Sequence, residues 1–157
     1  MNAVTHDLAE ESSTDAESRI VALLLRNGRL KEADLARARP LQRESGGSLL
    51  PLLVRLGLVS ERDHAQACAE VLALPLLEAK AVPEAPPESL LDALPLSLRF
   101  LKQFHACPLG LHDGVLDLWL SDPQEPYAAE AVQLAMAVPV RLHVGLRSEI
   151  DDLIERW

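Results

Sequence analysis

The chain has 157 residues, of which 48% are hydrophobic but only 3% aromatic, so a core of Leu, Val and Ala is expected. This length suits one domain of ordinary size or two small units. The net charge of −9 argues against nucleic-acid binding, as does the lack of a basic stripe interleaved with aromatic residues. No apolar run reaches the roughly 18 residues that a membrane helix needs.

The N-terminus and the cysteines indicate the compartment. Residues 1–17 hold five acidic residues and no Lys or Arg, so they do not form a secretory signal. Cys68 and Cys107 fit neither a disulfide framework nor a zinc site, which favours a cytosolic, reducing setting.

The charge is unevenly distributed along the chain. Residues 18–70 hold nine basic and six acidic residues, whereas residues 71–157 hold six basic and thirteen acidic residues. The one basic region can attract an anionic ligand or an acidic protein surface. The simpler interpretation, favoured here, is that these Arg and Lys side chains only solvate helix faces.

A hydrophobic unit occurs twice between Arg19 and Glu70. Its copies contain LLLRNGRLKEADLARARPLQ and LLVRLGLVSERDHAQACAE, and in each an apolar run leads to a glycine, Gly28 or Gly57. These glycines lie 29 residues apart, a spacing that fits a repeated helix-turn-helix. Each glycine is predicted to end a helix.

Four helices are expected in this repeat. They begin near Asp15, at Lys31 (through Glu44), at Ser48 (through Leu56) and after Ser60. In the second helix, a buried seam of Ala33, Leu35, Ala38 and Leu41 is predicted, and Pro40 should kink or shorten the helix. Ser60 is expected to cap the fourth helix, with Asp63 three residues later.

The second half of the chain has a different pattern. Short helices are predicted at Pro87–Ala93 and Leu96–Lys102, followed by a β-hairpin around His112-Asp113-Gly114, because Asp-Gly between alternating apolar residues favours such a turn. A helix (Tyr127–Ala137), a strand (Val138–Val144) and a helix (Ser148–Arg156) follow.

These patterns predict an α+β fold with four segments. They are a disordered acidic tail (1–16), a helical lobe with the repeated helix-turn-helix (17–75), a proline-rich connector (76–96) and a small α/β lobe with a hairpin and about three strands (97–157). The abrupt end at Trp157 is expected to be a cut in a longer protein.

No catalytic constellation is found, and neither a cofactor nor a metal is expected. The chain has no phosphate-binding loop of the P-loop type and no G-x-S-x-G or H-E-x-x-H motif. His64 and Cys68 have metal-ligand spacing without a third ligand, so Cys68 is interpreted as a small buried residue. His105 and Cys107 are expected on one strand face, with the same interpretation.

Two other kinds of residue are assigned structural roles. Asp113, Asp117 and Asp122 are interpreted as solvated acids around the hairpin. Trp119 is interpreted as part of the core.

The two repeats, together with SLRFLKQFHACPLGLHDGVLDLWLSDP and VGLRSEIDDLIERW, resemble the N-terminal domain of the type II secretion ATPase, the E protein. The resemblance covers residues 17–157 and is closest to the xanthomonad-type proteins. It implies that this domain is non-catalytic and that an ATPase domain follows residue 157. The whole protein would be hexameric and cytoplasmic, and this fragment monomeric.

The implied partner is the cytoplasmic domain of the inner-membrane L protein, through which the ATPase reaches the membrane indirectly. The first helix is apolar over a wide arc and needs something to dock against, either its own core or a partner. The docking face is assigned to Arg19, Ile20, Leu23, Leu24 and Arg26. A double charge substitution at Leu23 and Leu24 is the suggested test.

The resemblance also implies an alternative, because related domains of type IV pilus ATPases bind cyclic di-GMP through a duplicated motif. The motif residues that this chain keeps for such a site are Arg19, Gly28, Gln42 and Gly57. Elsewhere the chain departs from the motif, with Val21 and Leu50 in place of glycines, Ser48 in place of an arginine and Glu70 in place of the last glutamine. A leucine side chain would fill space meant for the nucleotide, and a carboxylate would repel its phosphates. Protein docking is therefore the favoured function.

Overall fold

The structure, a computed structural model, describes residues 15–85 and 97–157. Its contacts divide the chain into two units, Met1–Ala73 and Leu74–Trp157. The predicted acidic tail falls on residues outside the described part, except that residues 15 and 16 already belong to the first helix. The helix predicted at Pro87–Ala93 also lies outside the described residues.

Within residues 15–73, the first unit consists of four helices, as the repeat predicts. They are α1 (residues 15–26), α2 (Glu32–Ser45), α3 (Leu49–Arg55) and α4 (Glu61–Leu72). The Ser60 hydroxyl accepts a hydrogen bond from the Asp63 amide at 3.1 Å, which confirms the predicted cap of α4.

The two copies of the repeat share one turn geometry. Gly28 and Gly57 have φ of +71° and +75°, a left-handed conformation that glycine adopts without strain. The Leu24 carbonyl accepts a hydrogen bond from the amide that follows Gly28, at 2.9 Å. The Leu53 carbonyl does the same with the amide after Gly57, at 3.0 Å. Each glycine therefore ends its helix in the same hydrogen-bonded motif, which confirms the internal repeat.

Helix α2 differs from its prediction. Only Ala38 is buried, Leu35 is half-buried, Ala33 is exposed and Leu41 is 44% exposed. At about 100° per residue, the four positions of the predicted seam spread over about 200° of the helix, so they cannot all face one core. Pro40 does not shorten the helix, which continues to Ser45. Pro40 is exposed, so water can reach the carbonyl that its ring leaves unpaired.

The core of the first unit is almost entirely aliphatic. Its buried apolar residues are Ile20, Val21, Leu23, Leu24, Leu30, Ala38, Leu49, Leu50, Leu52, Leu53, Val59, Ala65, Ala67 and Cys68. The burial of Cys68 confirms its predicted role as a small core residue.

The second unit has the predicted order of strand, strand, helix, strand, helix, preceded by a short helix. The elements are α5 (Leu98–Phe104), β1 (Ala106–His112), β2 (Val115–Leu120), α6 (Pro126–Met136), β3 (Val140–Val144) and α7 (Arg147–Arg156). Strands β1 and β2 pair antiparallel, and β2 pairs parallel with β3. Asp113 and Gly114 form the hairpin turn with φ of +53° and +77°, as the Asp-Gly pair predicts.

Residues 76–85, predicted as connector, instead belong to the second unit. Leu76 pairs in parallel with Val144, and the Leu77 amide donates to the Val144 carbonyl at 2.9 Å. The Leu77 carbonyl accepts a hydrogen bond from the Trp119 indole at 3.2 Å. This pairing was not predicted, because prolines argue against a strand. Proline is tolerated at the edge of a sheet, however, where not every backbone N–H has to donate to a neighbouring strand.

Both faces of the sheet are packed in the second unit. On one face, Trp119 is fully buried against α7, in a cluster with Val82, Leu101, Cys107, Leu109, Ile150, Leu153 and Ile154. On the other face, Val132 of α6 packs on Ala106, Leu116, Leu118 and Leu120. The alternation along β2 sends its leucines and its tryptophan to opposite faces, which confirms Trp119 as core. Among the described residues, no helix combines the length and apolarity needed to cross a lipid bilayer.

Candidate functional site

A groove of about 360 Å³ lies on the helical unit, between the first and the last of its helices. Helix α1 forms one wall and α4 the other. The lining residues are Arg19, Ala22, Leu23, Arg26, Glu70 and Val71. The four from α1 follow the spacing i, i+3, i+4, i+7, so they share one helix face.

The charges of the groove are arranged around a small apolar floor. Arg19 and Arg26 are exposed, and within residues 15–85 and 97–157 neither makes a salt bridge. Glu70 supplies the one carboxylate of the opposite wall. Two guanidinium groups against one carboxylate give the groove a net positive charge. Arginine forks of this kind suit a partner surface that presents carboxylates.

The structure separates the predicted docking residues into two groups. Arg19, Leu23 and Arg26 line the groove, although Leu23 is only 6% exposed. Ile20 and Leu24 are 0% and 2% exposed and belong to the core of their own unit. The wide apolar arc of α1 is therefore covered by the other helices of that unit, and only its arginine-bearing edge is available to a partner in this conformation.

The residues of the alternative nucleotide site are not gathered in this groove. Only Arg19 lines it. Gly28 and Gly57 serve as the helix-ending glycines, and the Gln42 side-chain amide donates to the Gly47 carbonyl at 3.2 Å, which holds the loop after α2. Glu70 lines the groove with Arg19, so a carboxylate sits beside the arginine assigned to the phosphates.

Val21 and Leu50 stand where the cyclic di-GMP motif has glycines. They are 6% and 1% exposed, so both side chains are used in the core. Neither position leaves the backbone open to the close approach that a glycine permits.

Asp117 is a polar site that the sequence reasoning missed, and its assignment as a solvated turn acid was wrong. It is 9% exposed and lies in the central strand β2. Its carboxylate accepts hydrogen bonds from His112 Nδ1 at 2.7 Å and His143 Nε2 at 2.9 Å, and Arg141 lies 3.5 Å away. The alternation of side chains along β2 indicated which face of the sheet Asp117 occupies. The two histidines come from the neighbouring strands β1 and β3, so only the strand pairing shows that they lie beside Asp117.

The partners of Asp117 hold it ionised. Burial by itself raises the pKa of its carboxyl, but hydrogen bonds from His143 and His112, with the charges of His143 and Arg141, outweigh burial and lower the pKa. His143 depends on this carboxylate, because its other ring nitrogen is buried without a partner among the described residues. The cluster links β2 to both neighbouring strands through the side chains of Asp117, His112 and His143.

His64, His105, Cys68 and Cys107, the other His and Cys residues in the part of the chain that the structure describes, have structural roles. His64 Nε2 lies 3.3 Å from the Cys68 sulfur inside the helical unit, and burial lowers the pKa of His64 to about 4. His105 ends α5 rather than sharing a strand face with Cys107, because β1 begins one residue later, and its Nδ1 bonds Asp151 at 2.7 Å. Burial raises the pKa of the Cys107 thiol to about 12. Among residues 15–85 and 97–157, no three His, Cys, Asp or Glu side chains form a metal site.

Comparisons with known proteins identify a domain family and two similar proteins. Residues 72–157 match the MshEN domain family. The chain is 64% identical over 142 residues to the type II secretion system protein E of Xanthomonas campestris pv. campestris, covering 90% of this chain and 25% of that protein. It is 36% identical over 122 residues to the type IV pilus assembly ATPase PilB of Thermus thermophilus, covering 76% of this chain and 13% of that protein. The chain thus spans a quarter or less of these relatives.

Solved structures agree with the sequence matches. The N-terminal domain of XpsE superimposes with a TM-score of 0.82 at 63% identity, covering 90% of this chain and 95% of that one. The structure of MshE with cdg superimposes with a TM-score of 0.67 at 25% identity, covering 88% and 98% of the two chains. The chain therefore belongs to the MshEN domain family, and within it is similar to the N-terminal domain of type II secretion system protein E.

Proposed function

We propose that this chain is the non-catalytic docking module of a type II secretion ATPase and binds the cytoplasmic domain of the inner-membrane L protein. The observation that carries the proposal is the groove between α1 and α4, in which Arg19 and Arg26 flank a small apolar floor. The chain is 64% identical to a type II secretion system protein E and covers 25% of the length of that protein. This similarity supplies the secretion context.

The groove suits a protein partner better than a buried small molecule. It is open, and its arginines are exposed at two points along the same helix face. An acidic segment of the partner can pair with both arginines while an apolar side chain enters beside Ala22 and Val71. The module would act in the cytoplasm and reach the inner membrane only through the L protein. It would be monomeric by itself and part of a hexamer in the whole ATPase.

The arginines provide the first test of docking. Replacing Arg19 and Arg26 together by glutamate is expected to weaken binding of the purified L cytoplasmic domain at least about tenfold, because two attractive charges become repulsive. Binding is measured by titration of the two purified proteins at low salt, where charge pairs are least screened.

The matched control places the same charge change elsewhere on the helical unit. Arg39 and Arg43 are exposed on α2 and do not line the groove, so their double replacement by glutamate should leave affinity within about twofold. Equal loss of affinity in both double variants would show that net charge, and not the groove, governs binding. The double charge substitution at Leu23 and Leu24 is unsuitable, because both are buried and the change would unfold the unit.

A second candidate function is binding of cyclic di-GMP. It is favoured by one observation, the likeness to the structure of MshE with cdg. Against it stand the buried side chains of Val21 and Leu50 and the position of Glu70 beside Arg19.

Calorimetric titration of the chain with cyclic di-GMP is expected to give no saturable heat in the micromolar range, because the nucleotide-admitting glycines are replaced. Saturable binding with a micromolar or lower Kd, abolished by Arg19→Ala, would contradict this and make the nucleotide the ligand. The same Arg39/Arg43 variant serves as the control for non-specific attraction of the anionic nucleotide.

A further inference from the structure

Helix α6 of the second unit carries exposed apolar side chains in a line. Leu134 is 83% exposed and Tyr127 is 58% exposed. They are seven residues apart, about two helical turns, so they point from the same face. Ala131, half-buried, lies between them, and Ala135 beside Leu134 is exposed. We name these four residues the α6 ridge.

The opposite face of α6 is already used. Ala128 and Val132 are 2% and 0% exposed, and Val132 packs on the leucines of the sheet. The helix is therefore anchored to the sheet through the face opposite the α6 ridge. Single exposed apolar residues are common on protein surfaces. The exposed apolar line on α6 is not used to anchor the helix on the sheet, so it is available for contact with a partner.

The tyrosine end of the α6 ridge is preformed. The Tyr127 ring packs on Phe104 with centroids 5.3 Å apart, and Phe104 packs on Phe100 at 4.9 Å. A ring fixed in this way loses little conformational entropy when a partner covers it.

The charged side chains of α6 and its N-cap are acidic. Apart from the tyrosine hydroxyl, the polar side chains on the helix are those of Glu130 and Gln133. The helix itself has no Lys or Arg, and Glu125 caps its first turn, with its carboxylate accepting a hydrogen bond from the Ala128 amide at 2.8 Å. A partner that covers the α6 ridge meets this negative charge at its rim.

We propose that the α6 ridge is a docking surface for an amphipathic helix of a partner protein, whose apolar stripe is flanked by Lys or Arg. The apolar stripe matches the line from Tyr127 to Leu134, and the basic flanks complement the carboxylates of Glu130 and Glu125. A second copy of this chain fits less well, because a twofold contact through the α6 ridge brings acidic rims together. This proposal does not depend on docking at the groove of the helical unit.

The test uses two synthetic helical peptides of about 18 residues with the same leucine stripe, one flanked by lysines and the other by glutamates. Labelled peptide is titrated with the full chain and with Leu134→Glu and Leu98→Glu variants. Leu98 is 51% exposed at the start of α5, so its variant introduces the same change on another helix. Tryptophan fluorescence confirms folding, because both tryptophans lie in the second unit.

The lysine peptide is expected to bind saturably, with affinity at least about tenfold weaker for Leu134→Glu and unchanged for Leu98→Glu. The glutamate peptide should not bind. Equal binding of both peptides, equal loss in both variants, or no saturable binding of the lysine peptide would overturn the proposal. So would a dimer in sedimentation that Leu134→Glu dissociates, because it would make a second copy the occupant.

Discussion

Replacing Gly145 by alanine is expected to destabilise the second unit by about 3 kcal/mol, the upper end of the usual cost of overpacking a core. A Cβ at this position would lie 2.5 Å from Cε2 and 2.8 Å from Cδ1 of Trp119, and closer still to Nε1. Trp119 is fully buried and donates its indole hydrogen to Leu77 at 3.2 Å, so the ring cannot move away without losing that bond. Denaturant unfolding followed by tryptophan fluorescence measures the loss.

Gly114→Ala is the matched control for this glycine. It lies in the hairpin turn of the same unit at φ +77°, with nothing within 4 Å of an added Cβ. Its replacement costs only backbone strain, about 1 to 2 kcal/mol. If Gly145→Ala lowers the free energy of unfolding by no more than Gly114→Ala does, the Trp119 ring can move aside at little cost, and the prediction is contradicted.

A second variant isolates the contact itself. In a Trp119→Leu background the colliding ring is absent, so the additional cost of Gly145→Ala should fall below about 1 kcal/mol. Additive losses in the double variant would contradict the collision as the cause.

The helical unit is expected to lose about 3 kcal/mol of stability as pH falls from about 6.5 to 4, because of His64. Burial lowers the pKa of His64 from 6.5 to about 4 in the folded chain. The unfolded chain therefore takes up the proton first. Stability from the neutral imidazole is complete above pH 6.5, declines as pH falls through this window and stops declining below about 4.

His64→Gln removes this titration while keeping a polar side chain near Cys68. The difference between the stability curves of parent and variant isolates His64 from the carboxylates that titrate at lower pH. Hydrogen exchange of segments from residues 15–73 is the suitable measurement, because this unit has no Trp, Tyr or Phe. Parallel curves between pH 6.5 and 4 would show that His64 is protonated in the folded unit.

These predictions rest on features that the sequence reveals to different degrees. The repeat was predictable because a glycine after an apolar run, followed by a new amphipathic segment, is a local signal that occurs twice. The hairpin was predictable for the same reason, because Asp113 and Gly114 adopt the left-handed conformation that their residue types favour. The buried seam predicted for helix α2 was wrong, because its apolar residues do not lie on one face of the helix.

The candidate site was only partly predictable. The arginines of α1 were identified from the sequence, and the structure places both in the groove. Ile20 and Leu24 were assigned to the same docking face, but both are buried in the core of their own unit. The sequence pattern of an apolar helix face is the same whether the protein's own core or a partner covers it. Glu70 and Val71, the opposite wall, are about fifty residues away in the chain and have no local signal that pairs them with α1.

The sequence by itself determined the element order, the internal repeat and the hairpin, because local propensity and periodicity act within a few residues. The family resemblance came instead from whole sequence segments shared with a known family. Only the tertiary structure decided which apolar residues of α1 are covered, that Asp117 is held between two histidines, that Leu76 pairs with Val144 at the edge of the sheet, and that Gly145 lies against Trp119. Each of these depends on residues brought together from distant parts of the chain, where burial and close packing, not local preference, determine the contact.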